Sequence, residues 1–382
     1  MRKFWLLILL VALLVCSGCW DKKEINELAI VTSVGIDREP STGMYIAYYQ
    51  VINPPALSSR QSGGSKASVY TYRFKEYSLG RFMQKTSTMM PRLLFTSHLQ
   101  CYILSEAVAR QGIIDILNYL ETTPEWRMNV YLFVTDSPLK AVMNSFTTLE
   151  KVPGRHATSL VRLFSRGAFA GGVEPIRVKD IVTGMQFHLP TLIPMIHYRG
   201  KPAETTERME QIDASEQAPS FFADSAVFFK GRMEGLLDSQ NKYYFHILNT
   251  NYRKFTETLK VSGNYVDVET NNVKVKRKWD RSANRLNILI HADLRILNNQ
   301  QNAKLTLENV HKIEKTFNRV VEDNAKKMVV LGKLNNWDLL GLQDEGATSN
   351  SWRRTSVNFT ITSDVTMTGN KSDPYTKEDK EG

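Results

Sequence analysis

The three cysteines are the residues whose chemistry depends most on their position in this chain. Cys16 and Cys19 lie at the end of an N-terminal apolar run, and Cys101 lies deep in the sequence. Cys101 alternates with Leu99 and Ile103 in a strand-like pattern, which favours a buried, inert thiol over a nucleophile that a histidine would activate. Cysteines so few and so placed exclude a disulfide framework and a zinc cage.

The residues before Cys19 have the order of a secretory signal. Arg2 and Lys3 precede thirteen apolar residues, 4–16, and a small Ser-Gly pair follows. The apolar run is shorter than the roughly 20 residues that a helix needs to span a bilayer. A cysteine directly after Ser-Gly resembles the bacterial lipobox, in which that cysteine is diacylated on sulfur and becomes the new N-terminus after cleavage.

We therefore predict a lipoprotein signal peptide over residues 1–18 and lipidation of Cys19, as S-diacylglycerol cysteine and N-acyl cysteine. Cys16 departs from the pattern, because an aliphatic residue usually stands three positions before the lipidated cysteine. An ordinary cleaved signal that leaves a free thiol and an uncleaved signal anchor are the alternatives. Loss of Arg2 and Lys3 would lower the formal charge from +10 to +8, which still suits anionic lipid head groups.

No other set of residues has the spacing of a catalytic or metal-binding motif. No two of the seven histidines lie within four residues of each other, and the sequence contains no phosphate loop and no Gly-x-Ser-x-Gly elbow. Residues 167–172 are glycine-rich but lack the spacing and the lysine of a phosphate loop. His98 stands just before a predicted strand, where bonding to the backbone explains it more simply than ligand binding. Glu24, Glu27 and Asp37 are carboxylates, but nothing selects two of them as an acid/base pair. We therefore expect no enzyme activity, no cofactor and no metal.

Composition limits the class of protein. The chain has 382 residues, of which 42% are apolar and 23% are charged, enough for packed cores in two or three domains. Lysine and arginine exceed aspartate and glutamate by ten, but the surplus is spread along the chain. Charge therefore gives little support to a nucleic-acid partner.

The elements that must position these residues differ between the two halves. In residues 19–198, strands alternate with helices, beginning with a predicted hairpin of strands 28–36 and 44–52. A helix is predicted over 105–122, with Ser105 as its N-cap. This alternation predicts a mixed α/β region of one or two domains.

Residues 199–219 are acidic and nearly free of aliphatic side chains, which predicts a linker. The second half, 220–370, reads as an α+β domain and precedes a polar tail, 371–382. Its predicted strands include 259–269, 273–279, 285–297 and 356–367, and its long helix spans about 306–334. The expected architecture is multidomain, α/β and α+β, with mixed sheets and flanking helices and a C-terminal antiparallel sheet packed on the long helix.

Five stretches carry a resemblance to a known family: residues 18–37 (GCWDKKEINELAIVTSVGID), 50–54 (QVINP), 98–112 (HLQCYILSEAVARQG), 337–341 (WDLLG) and the closing strand 357–369. Together they resemble the Ger(x)C lipoproteins, the C subunits of GerA-type spore germinant receptors. Cys19 is the one defined functional residue that this resemblance transfers. Trp20 and Asp21 match the family motif without a chemical role.

The resemblance implies a non-enzymatic subunit, lipid-anchored on the exported face of the spore inner membrane. It implies an unusual fold of three mixed α/β and α+β domains, and integral-membrane A and B subunits as partners. The subunit would be needed for nutrient-triggered germination, and the resemblance assigns no germinant to it. The alternative from the residues is a solute-binding lipoprotein of a transporter, which would need two α/β lobes around a cleft.

Overall fold

The computed structural model describes residues 27–53, 69–123, 126–144, 159, 176–198, 220–250, 254–301 and 305–368. The predicted signal peptide, Cys19, the predicted linker 199–219 and the polar tail lie outside these ranges. So do Glu24 and the glycine-rich residues 167–172.

The first part of the chain alternates strands with short helices, as the sequence predicts. Its elements are β1 (Leu28–Arg38), β2 (Tyr45–Ile52), β3 (Val69–Glu76), α1 (Arg81–Met89), β4 (Leu93–Phe95), β5 (Cys101–Ser105), α2 (Glu106–Gln111), α3 (Ile114–Thr122), β6 (Tyr131–Thr135), α4 (Leu139–Met143), α5 (Val178–Gly184) and β7 (Thr191–His197). The β1–β2 hairpin is confirmed, with Gly35 opposite Tyr48 and Arg38 opposite Tyr45.

A nine-stranded sheet organises this part of the molecule. Its order is β3-β2-β1-β5-β6-β7-β8-β9, and β4 pairs with β1. β8 (Ser220–Phe229) and β9 (Arg232–Leu237) form an antiparallel hairpin, and β8 pairs with β7. The sheet therefore contains strands from both sides of residues 199–219.

The central strands β1, β5, β6 and β7 run parallel and are buried on both faces. In β5, Tyr102 and Leu104 pack into one apolar cluster, while Cys101 and Ile103 pack into another on the opposite face. Helices cover both faces of parallel sheets, which explains why these strands read as nearly continuous apolar runs.

The predicted helix 105–122 is two helices. The Ser105 hydroxyl accepts a hydrogen bond from the Val108 amide at 3.3 Å, which confirms the N-cap. Gly112 ends α2 with φ +111°, a backbone angle that other residues rarely adopt, and α3 begins at Ile114. The apolar spacing continues across this break, so periodicity alone could not reveal it.

The second part of the chain contains α6 (Ser239–Asn249), β10 (Thr256–Val261), β11 (Asn264–Asp280), β12 (Arg285–Asn299), α7 (Leu307–Asn335), α8 (Ser351–Arg354) and β13 (Ser356–Thr368). The four strands form a sheet in the order β10-β11-β12-β13. The 29-residue helix α7, about 43 Å long at 1.5 Å per residue, packs on one face. Its stripe of apolar residues, which includes Val310, Ile313 and Phe317, is fully buried, so this stripe belongs to the core rather than to an exposed surface.

Two expectations for this sheet were wrong. β13 runs parallel to β12, so the sheet is mixed rather than antiparallel, because α7 returns the chain to the starting edge before β13 begins. The predicted strand 259–269 is interrupted by a turn at Ser262 and Gly263, with φ +51° and +89°, and this turn joins β10 to β11.

Candidate functional site

The residues singled out from the sequence do not meet at one place. Cys101 is fully buried, and burial raises the pKa of its thiol to about 12, as expected for an inert cysteine. His98 is exposed beside the Phe95 ring, and its backbone carbonyl accepts a hydrogen bond from the side-chain amide of Gln100. The Asp37 carboxylate accepts a hydrogen bond from the Ser105 hydroxyl at 2.6 Å, so it supports the start of α2 instead of facing a second carboxylate.

A cleft of about 570 Å³ lies where the β8–β9 hairpin meets the loop that follows α7. The loop contains the sequence 337–341, one of the stretches that carry the family resemblance. A volume of this size is typical of small-molecule sites. We take this cleft as the candidate functional site.

Trp337 forms the inner wall of the cleft, and the end of α7 positions it. Asn336 ends the helix in the left-handed region, with φ +61°, and the Trp337 amide donates a hydrogen bond to the Gly332 carbonyl at 2.8 Å. The indole then lies against Gly235 of β9. A Cβ at Gly235 would come within 2.4 Å of the ring, so only glycine leaves room for this contact.

Asp344 connects the loop after α7 to residues 188–189 by hydrogen bonds. Its carboxylate accepts hydrogen bonds from the amides of His188 and Leu189, each at 2.8 Å, and it contacts the His188 imidazole at 2.9 Å. Partial burial alone would raise the pKa of this carboxyl, but the hydrogen bonds from His188 and Leu189 outweigh it and lower the pKa. The loop is therefore held by charge-assisted bonds.

Arg277 of β11 connects the same loop to the four-stranded sheet by a hydrogen bond and an ion pair. Its guanidinium donates a hydrogen bond to the Leu340 carbonyl at 2.7 Å and pairs with Glu345 at 2.8 Å. The loop is thus bound at one end to the nine-stranded sheet region and along its length to β11. This arrangement fixes the relative position of the two walls of the cleft.

The lining of the cleft combines aromatic and basic groups. Trp337 and Trp352 line the cleft and are themselves largely buried, while Lys230, Arg232 and Arg353 are exposed around it with one acidic residue, Glu234. Arg232 also donates a hydrogen bond to the Arg110 carbonyl at 3.0 Å, which limits its movement. Such a lining suits a ligand that has a flat apolar part and a negative charge.

A buried carboxylate lies directly behind this wall. Asp338 is 1% exposed; its Oδ2 accepts a hydrogen bond from the Gln343 backbone amide at 2.7 Å, whereas its Oδ1 has no hydrogen-bond partner among the residues that the structure describes. Burial raises the pKa of this carboxyl, although the amides of Gln343 and Leu342 act in the opposite direction. Asp338 borders a small cavity of about 10 Å³, which is close to the space that one water molecule needs.

Metal-ligand side chains converge elsewhere, on the outer face of the four-stranded sheet. Among the described residues, His291, Asp293 and Asp364 form the one group whose possible ligand atoms all lie within 4.8 Å of one another. No local sequence pattern marks this group, because Asp364 is 71 residues from Asp293. The alternation of β12 places His291 and Asp293 on one face, but only the pairing with β13 adds Asp364.

No helix in the described ranges is both long enough and apolar enough to cross a membrane.

Comparison with known proteins gives two family matches that together cover most of the chain. Residues 21–198 match the family described as the spore germination protein N-terminal domain. Residues 223–370 match the family described as spore germination B3/GerAC like, C-terminal.

Individual relatives are more distant. Spore germination protein KC of Bacillus subtilis (strain 168) is 26% identical over 195 residues, which cover 50% of this chain and 46% of the relative. Spore germination protein A3 of the same organism is 26% identical over 144 residues, covering 37% of this chain and 38% of that one. The chain thus spans about half the length, or less, of the curated relatives it matches.

The fold also has a solved counterpart. The crystal structure of the GerBC protein superposes with a TM-score of 0.54 at 12% identity, covering 90% of this chain and 99% of that one. This likeness extends through both sheets and supports the multidomain fold. With both family matches and the shared fold, the chain belongs to the Ger(x)C family of spore germination proteins.

Proposed function

We propose that this protein is the lipid-anchored C subunit of a nutrient germinant receptor in the spore inner membrane. It acts through contacts with integral-membrane A and B subunits, and nutrient-triggered germination requires it. The observation that carries the proposal is the pair of family matches, which together account for residues 21–198 and 223–370. The relatives are themselves named as spore germination proteins.

Cys19 is the anchor in this proposal. It lies two residues before the first family match and directly after the Ser-Gly pair that follows the signal-like apolar run. One acyl chain gives only marginal membrane binding. The diacylglycerol group on Cys19 would carry two acyl chains, which is enough for stable anchoring. The formal charge of +8 on the mature chain adds attraction to anionic lipid.

A role in binding rather than catalysis fits the described residues. The cleft at Trp337 offers stacking surfaces and cationic groups, and the cysteine with a strongly raised pKa, Cys101, is buried away from it. Chemistry of a hydrolase would need a nucleophile and a base within hydrogen-bond reach at such a cleft. We therefore propose that this receptor subunit is not an enzyme.

The solute-binding lipoprotein would need a second α/β lobe. The second half instead has one mixed four-stranded sheet and one long crossover helix. Family membership and this architecture both favour the receptor subunit.

The anchoring proposal is tested with spores that carry Cys19→Ala. We expect the protein to leave the inner-membrane fraction or to fall in amount, and nutrient-triggered germination to slow. Cys16→Leu is the matched control, because it replaces the atypical residue by a common one and should preserve both membrane retention and germination. Cys19→Ala protein that stays on the membrane in spores that germinate normally would refute the anchor.

The partner proposal needs a separate measurement. Crosslinking in isolated spore inner membranes, followed by mass spectrometry, should capture the A and B subunits with the wild-type chain. Capture of transporter permeases instead would support the solute-binding alternative.

A further inference from the structure

We propose that His291, Asp293 and Asp364 form a binding site for a divalent transition-metal ion, with Zn²⁺ as the best-suited ion. The site lies on the outer face of the four-stranded sheet, opposite the face that packs on α7. It is independent of the cleft at Trp337 and of the lipid anchor.

Strand register creates the group. In the parallel pairing of β12 with β13, His291 lies opposite Thr362 and Asp293 lies opposite Asp364. Side chains two positions apart on a strand share a face, so all four point to the same side of the sheet. Two aspartates directly opposite each other repel, and a cation between them would remove this cost.

The distances suit a shared metal ion. The Nε2 atom of His291 is 3.4 Å from Oδ1 of Asp293 and 3.8 Å from Oδ2 of Asp364. Ligand atoms bound tetrahedrally to Zn²⁺ at about 2.0–2.1 Å lie about 3.3 Å from each other. A small movement of Asp364, whose side chain is 72% exposed, brings the third ligand to this spacing.

Neighbouring polar groups orient two of the three ligands. The Thr362 hydroxyl lies 3.1 Å from Nδ1 of His291 and 3.5 Å from the Ile290 carbonyl, to which it donates. With the hydroxyl donating to Ile290, its oxygen can accept from Nδ1–H, and this is the tautomer that leaves the lone pair on Nε2 facing the carboxylates. The Asn272 amide donates to Oδ2 of Asp293 at 3.1 Å and leaves Oδ1 available. Metal-binding histidines and carboxylates in proteins are held by hydrogen bonds of this kind.

The two carboxylates also lack a permanent positive partner. Within the described parts of the chain, neither Asp293 nor Asp364 forms an ion pair with a lysine or arginine. Lys274 lies opposite His291 on β11 but is exposed and makes no ion pair with them, and Arg295 is paired with Glu269. A metal ion between them would offset their charge.

Ligand chemistry selects the metal class. One imidazole and two carboxylates bind Zn²⁺ or Mn²⁺ well, whereas Ca²⁺ and Mg²⁺ prefer oxygen ligands alone. The open side of the site faces solvent, so water or a side chain from a partner protein completes the coordination.

The experiment uses the full chain in detergent, freed of metal with a chelator and titrated calorimetrically with ZnCl₂, MnCl₂ and MgCl₂. We expect one Zn²⁺ per chain, weaker binding of Mn²⁺ and no measurable binding of Mg²⁺. The variants His291→Gln, Asp293→Asn and Asp364→Asn should each weaken Zn²⁺ binding at least tenfold. Their substitutions lie on the solvent-facing side of the sheet, and circular dichroism checks that each still folds.

His311→Gln is the control, because His311 is an exposed histidine on α7, which packs on the opposite face of the sheet from the proposed site, and it should leave Zn²⁺ affinity unchanged. Zn²⁺ binding that is absent, or that the three site variants do not weaken, would overturn the metal site. Germination is not the readout, so failure here leaves the receptor proposal intact.

Discussion

Replacing Asp344 by alanine removes the carboxylate that joins the loop after α7 to residues 188–189. The wild-type carboxylate accepts two backbone hydrogen bonds at 2.8 Å and contacts the His188 ring. Hydrogen bonds to a charged group contribute about 1.5–3 kcal/mol each. Because the Asp344 side chain is 23% exposed, water replaces part of what is lost, and we expect a total local cost of about 2 kcal/mol.

Amide hydrogen exchange measures this cost at the bonds themselves. A loss of about 2 kcal/mol corresponds to roughly 30-fold faster exchange at the amides of His188 and Leu189, if they exchange by local opening. Asp323→Ala is the control, because this exposed aspartate on α7 accepts no backbone hydrogen bond from another element in the described ranges; exchange at residues 188–189 should be unchanged.

The stabilising contribution of the Asp344 carboxylate should depend on pH in a defined direction. The pKa of Asp344 is lower in the folded protein than in the unfolded chain, where it is near 3.9. Its stabilising contribution is therefore complete above about pH 4 and is lost as the pH falls through the folded pKa. Equal exchange rates in wild type and Asp344→Ala at pH 7 would refute the role assigned to this carboxylate.

Three further outcomes follow from the contacts around the cleft and the core. Gly235→Ala should destabilise the protein by about 1–3 kcal/mol and shift tryptophan fluorescence, because the new Cβ overlaps the Trp337 ring; Gly80→Ala, which meets open space, should change stability by less than about 0.5 kcal/mol. Burial raises the pKa of Asp338, so the folded wild-type protein loses stability as this carboxyl ionises with rising pH, whereas Asp338→Asn does not. The stability of Asp338→Asn relative to wild type should therefore increase between pH 4 and pH 7. A difference in urea midpoint between the two proteins that is the same at both pH values would contradict this. Cys101 should resist alkylation at pH 8 in the native protein and react once the protein is unfolded, as judged by mass spectrometry of its peptide, and rapid native labelling would show that the thiol is accessible.

Features set by neighbouring residues were predictable from the sequence. The Ser105 cap depends on a hydroxyl three residues before the amide it binds, and α7 follows from apolar residues at helical spacing, so both appear in a single window of sequence. Lipidation of Cys19 stays a prediction, because residue 19 lies outside the described ranges.

Features set by distant pairing were not predictable. Asp344 and His188 are separated by 156 residues, and no local pattern marks either as the partner of the other. The group of His291, Asp293 and Asp364 forms only because β13 runs parallel to β12. The alternation of apolar residues in β13 is compatible with either strand direction, so the sequence alone could not predict this group. The candidate cleft was missed for the same reason, because its walls come from β9 and from the loop after α7.

The proposed anchor restricts how this molecule can be placed at the membrane. Leu28, where β1 begins, is nine residue steps after Cys19, and an extended chain of this length reaches about 30 Å. β4 runs parallel to β1 with Leu93 opposite Leu28, so the start of β1 and the half-exposed Leu93 lie together at one edge of the nine-stranded sheet. A lipid on Cys19 would therefore keep this edge within about 30 Å of the bilayer, and contacts with integral-membrane partners close to the bilayer surface should involve this edge before others.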